Sequence, residues 1–148
     1  MLSSLGEKVA MRSYLVVANR TLTGPQLVAE VVGRSQAGPA RFHLVVPATV
    51  SGHASMTEGE AHALAQRRLD DALERFRESG LEVTGEVGDE KPMLAVGDVL
   101  RRQEYDEIIL STLPPGVSKW LKRDLPHKLA RQYQLPVTHV VGSSELVS

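Results

Sequence analysis

The chain has 148 residues, 42% of them hydrophobic and 24% charged, with a formal net charge of -1. That length suits one hydrophobic core, and the near balance of acids and bases creates no long-range field that would draw in nucleic acid or an anionic membrane. With no cysteine, disulfides, thiolate nucleophiles and zinc–thiolate sites are all excluded.

The opening MLSSLGEKVAMRSYLVV has too short an apolar run for a signal peptide, and no stretch reaches the roughly 20 apolar residues that would span a bilayer. A soluble, cytoplasmic protein is expected. Residues 1–12 read as a flexible lead-in in which Met11 is a candidate start, 13–142 as one domain, and 143–148 as a tail.

In chain order, residues 14–18 (YLVVA) are continuously apolar, as a strand buried on both faces must be. TLTGPQLVAEVVGR follows, with Leu27, Val28, Val31 and Val32 on one helical stripe; Thr23 is the expected cap, and Pro25 fits the first turn. Residues 42–46 form a second strand, ended by Pro47. The stretch ATVSGHASMTEGE reads as a loop that closes with Thr57 and Glu60 at capping-box spacing.

A long amphipathic helix then turns Leu64, Leu69, Ala72, Leu73 and Phe76 inward, with Gly80 suited to its C-terminal cap. Its arginines, Arg67, Arg68, Arg75 and Arg77, alternate with Asp70, Asp71, Glu74 and Glu78 and read as a solvated face. Leu81, Val83 and Val87 alternate with polar residues, which predicts an edge strand. Asp89 and Pro92 open a helix with Met93, Val96, Val99 and Leu100 inward. Residues 106–110 (DEIIL) form another buried strand, and Val137–Val141 the last. Five strands separated by helical crossovers predict an α/β fold, an open parallel sheet with helices on both faces.

In such a sheet, ligands bind beyond the carboxyl ends of the strands. That rule selects Asn19, Arg20 and Thr21, then Pro47 and Ala48, then Ser111, Thr112 and the loop LPPGVS. In this loop Gly116 permits positive φ and Ser118 can cap a turn beginning near Lys119. Pro126 predicts a new helix from about Leu125, with Asp124 as its cap. The loop is either a rigid connection with Trp120 and Leu121 on the core, or a seat for an anion on the Gly116 to Ser118 amides, helped by Lys119, Lys122 and Arg123.

The YLVVAN first strand, the YDEIILST fourth strand and the closing LPVTHVV resemble the universal stress proteins across about residues 14–141. The resemblance implies a three-layer fold with strand order 3-2-1-4-5 and a homodimer through Val137–Val141. ATP-binding members of that family carry a glycine, a short spacer, a second glycine, a longer spacer, and then glycine with serine or threonine. Laid on this chain, those positions fall at Ser111, Pro114, Asp124 and Leu125, and the family's first-strand aspartate falls at Asn19. The chain therefore resembles a divergent branch without the ATP-binding glycines. Pro114 removes an amide, and a capping carboxylate at Asp124 would repel a terminal phosphate.

Two functional readings follow. One is a non-enzymatic stress-response or signalling module that does not bind ATP in the standard way. The other is an adenine-nucleotide-binding protein or weak hydrolase, its small anionic ligand contacted by Asn19, Thr21, Ser111, Thr112, Gly116, Ser118, Lys119 and Arg123. A third possibility, a docking surface built on Trp120, requires that side chain to be exposed. His43, His53, His62, His127 and His139 show no metal-ligand pair on one helix face, the nucleophile elbow and the phosphate-binding glycine loop are absent from the sequence, and it gives no support for a catalytic residue.

Overall fold

The computed structural model describes residues 11–49 and 56–143. Ten elements follow in order: β1 (Arg12–Val17), α1 (Pro25–Ala37), β2 (Ala40–Pro47), α2 (Glu58–Glu78), β3 (Glu82–Gly88), α3 (Pro92–Leu100), β4 (Glu107–Thr112), α4 (Lys119–Lys122), α5 (Leu125–Tyr133) and β5 (Val137–Val141). All strand pairings are parallel and the sheet order is β3-β2-β1-β4-β5, as expected.

Alternate residues of the central strands feed two cores. Tyr14, Val16, Phe42, Leu44 and Ile109 face α1 and α2, meeting Leu27, Val31, Leu69 and Phe76. Leu15, Val17, Val45, Ile108 and Leu110 face α3 and α5, meeting Val96, Val99, Leu125 and Leu129. Each such buried aliphatic side chain contributes on the order of 1.5–3 kcal/mol by leaving water. β1 and β4 hold most of these residues, which explains why their sequences lack the alternation seen in β3.

Local signals set the boundaries. The capping box of α2 forms: Thr57 Oγ1 accepts from Glu60 N at 3.1 Å, and Glu60 Oε1 accepts from Thr57 N at 2.8 Å. Gly80, with φ +85, turns the chain after that helix. Two expected caps differ. Gly24 rather than Thr23 precedes α1, and Lys91 precedes α3, with Asp89 Oδ1 accepting from Lys91 N at 2.9 Å. Proline at the first helical position supplies the fixed φ in both cases, so a side-chain cap is dispensable. β1 also begins two residues before the apolar run, because Ser13 N donates to Asp106 Oδ2 at 2.8 Å and Arg12 pairs in register with Ala40.

Candidate functional site

β1, β2 and β4 end side by side where the strand order reverses, the position of the ligand cleft in open parallel sheets. Thr21 and Ser111, 2% and 1% exposed, share a hydrogen bond of 2.5 Å between their hydroxyls. Gly142, just past β5, lies against Thr21: a Cβ there would come within 2.6 Å of Thr21 Cγ2. Thr112 Oγ1 donates to Leu113 O at 2.8 Å and shares a second hydrogen bond of 2.8 Å with His139 Nε2. Burial lowers the His139 pKa. Thr21, Ser111 and Thr112 are thus together, but their hydroxyls are spent on protein partners.

Asn19 sits on the β2 side of the cleft and is 7% exposed. Its Nδ2 donates to Pro47 O at 2.7 Å and to Thr49 Oγ1 at 3.1 Å, which orients the carboxamide. Its Oδ1 accepts from Arg68 Nη1 of α2. Arg68 is therefore half-buried at the cleft rather than part of the solvated face expected of it. Helical spacing carried the signal: Arg68 lies four residues after Leu64 and four before Ala72, beside the buried stripe, whereas Arg67 lies off it and is exposed.

The loop after β4 takes the shape its residues suggest. Gly116 has φ +88, and Ser118 Oγ accepts from Leu121 N at 3.2 Å to cap α4. The amides of Val117 and Ser118 both donate to Pro114 O, at 3.1 and 3.0 Å. That leaves Gly116, Lys119 and Arg123 as the exposed members of the expected site on this side. Trp120 is partly buried and packs against the α3–α5 core, so it is not the exposed docking side chain that the third reading required.

Asp124 precedes α5, but its side chain does not cap the helix. The carboxylate instead accepts from His127 Nδ1 at 2.7 Å, on the exposed surface. This corrects the expectation of a capping carboxylate. The backbone explains the difference, because φ 58 and ψ 42 place Asp124 in the left-handed region, outside the extended conformation from which a cap reaches its amides. Glycine favours that conformation and aspartate tolerates it, so the backbone matches the family glycine that the resemblance lays on this position.

These features define an α/β sheet protein with a polar, internally bonded cleft at its strand ends. Its fold is that of the universal stress proteins. A universal stress protein solved in complex with cAMP matches with a TM-score of 0.58 at 16% identity, over 88% of this chain and 97% of that one. A universal stress protein from Archaeoglobus fulgidus matches with a TM-score of 0.57 at 15% identity, over 93% and 98% respectively. No family profile and no curated protein matches the chain. Among the described residues no helix is long and apolar enough to cross a membrane.

Proposed function

We propose that the chain is a non-enzymatic stress-response or signalling module of the universal stress protein type, a cytoplasmic homodimer whose cleft does not take ATP in the family's standard pose. One observation carries the reading: two of the three amides of the expected seat after β4 are engaged. Val117 N and Ser118 N donate to Pro114 O, Pro126 lacks an amide, and the exposed Asp124 carboxylate adds negative charge at the start of α5. Asp124 does not fill the helix-end amides, so what remains of that argument is the negative charge its carboxylate brings to the start of α5.

Calorimetric titration and thermal melting with ATP, ADP, AMP and cAMP test this reading. ATP should give no response that depends on Lys119. Saturable ATP binding that Lys119→Ala abolishes would overturn it.

A second reading, an adenine-nucleotide-binding protein or weak hydrolase with fewer phosphates in a non-standard pose, rests on a separate observation. Lys119, Lys122 and Arg123 are exposed together on and beside α4, facing no ion-pair partner among the described residues. A neighbour in fold solved with cAMP is consistent with it. A cAMP or AMP response lost on removing Lys119 and Arg123 would favour this alternative.

A further inference from the structure

Among the described residues two arginines are half-buried, Arg34 and Arg68. Arg34, with its side chain 25% exposed, meets Glu30 at 2.6 Å and Glu107 at 2.7 Å. Arg68 is not matched in this way. Its partner among the described residues is the neutral carboxamide of Asn19. The single acid three or four positions away on α2 is Asp71, whose carboxylate pairs with Arg75 at 3.3 Å. Residues 50–55 (VSGHAS) contain no acid either.

The surroundings oppose the guanidinium further. Burial depresses the Arg68 pKa, and the charges of Arg20 and Arg67 push it in the same direction. A desolvated cation repelled by its own neighbours gains most from an anion supplied from outside. Asn19 also holds the group in a fixed orientation, tied through its Nδ2 to Pro47 O and Thr49 Oγ1. A planar fork with one N–H anchored and the rest without a partner among the described residues suits a two-oxygen acceptor.

We infer that Arg68, anchored by Asn19, is an anion-recognition site at the carboxyl ends of β1 and β2 for a small molecule bearing a phosphate monoester or a carboxylate. It lies across the cleft from the loop after β4. The inference builds on the cleft reading above and places the ligand's charge on the opposite side.

The test uses the full chain at constant ionic strength, titrated with inorganic phosphate and separately with succinate, followed by melting temperature and calorimetry. At least one probe should bind saturably. Arg68→Gln should weaken binding roughly tenfold or more, the usual scale for a lost charge-assisted contact. Asn19→Asp keeps the guanidinium but gives it an internal carboxylate, and should weaken binding similarly. Lys128→Ala, which removes an exposed cation of α5, should leave it unchanged.

Phosphate-only binding would assign the site to phosphate monoesters, and succinate-only binding to carboxylates. Equal responses in wild type, Arg68→Gln and Asn19→Asp would overturn the inference, as would no response to either probe. The response to probe is compared within each protein, so a baseline change in a variant's stability does not blur it. A Lys119-dependent ATP response would defeat the functional reading while leaving this outcome independent.

Discussion

Ser111 and Thr21 are both shut off from water, so each hydroxyl depends on the other for its hydrogen bond. Ser111→Ala leaves the Thr21 hydroxyl buried without that partner and should cost about 1–3 kcal/mol, measured by denaturant unfolding. Thr21→Val with Ser111→Ala removes both hydroxyls and should cost less than the two single changes summed. Asp124→Gly is expected to go the other way. It relieves a left-handed backbone held by a non-glycine residue and gives up an exposed contact to His127, so stability should hold or rise by up to about 1 kcal/mol. A loss above that range would show that the His127 contact matters more than the backbone. The Ser118 cap was legible because capping is local chemistry, and helical spacing already set Arg68 beside the buried stripe; its partner was not legible, because Asn19 lies far away in sequence.

Elements were legible to the extent that their signals are local. The apolar runs of β1 and β4 announce strands covered on both faces, and alternation in β3 announces an edge, where the sheet indeed places it. Strand order is a different matter: periodicity does not encode it, and it came from the resemblance. α2 offers the clearest test of a local signal. Thr57→Ala removes one half of a formed capping box and should destabilise by about 1 kcal/mol in chemical denaturation, with Thr57→Ser nearly neutral. Equal losses from both changes would mean that the hydroxyl is not what holds the first turn. The candidate site was only partly legible for a related reason. The strand-end rule found Asn19, Thr21 and Ser111, but whether a hydroxyl faces a ligand or a neighbour is decided by contacts between elements.

At the scale of the whole molecule, two titrating groups give the pH dependence the same sign. Glu86 has a lowered pKa: burial opposes the shift, and the Arg102 and His43 contacts overcome it. His139 has a pKa lowered by burial. In both cases the unfolded chain binds the proton more readily, so stability is fully present above the unfolded pKa and is lost as pH falls through the lowered folded value. Melting temperature should therefore drop as the solution becomes acidic, with the His139 contribution setting in below about pH 6.5. His139→Gln should flatten that first part of the curve, and an unchanged profile would remove His139 from the account.

His139 also lies on the strand that closes the sheet. Ile108 N donates to Pro136 O at 2.9 Å and Gly142 N to Thr112 O at 2.7 Å, so the even-numbered residues of this stretch serve β4. By the two-residue period of a strand, the backbone groups of Val137, His139 and Val141 then point away from the sheet. Val141 is 40% exposed. A row of backbone groups without a partner among the described residues, flanked by valines, is a surface that a second copy of the chain can cover. Sedimentation at concentrations on the order of tens of micromolar should find a dimer. Val141→Lys sets like charges face to face on the paired edges, and should dissociate it while leaving the monomer's fold intact by circular dichroism. A wild-type monomer under those conditions, or a dimer indifferent to the lysine, would place the contact elsewhere on the molecule.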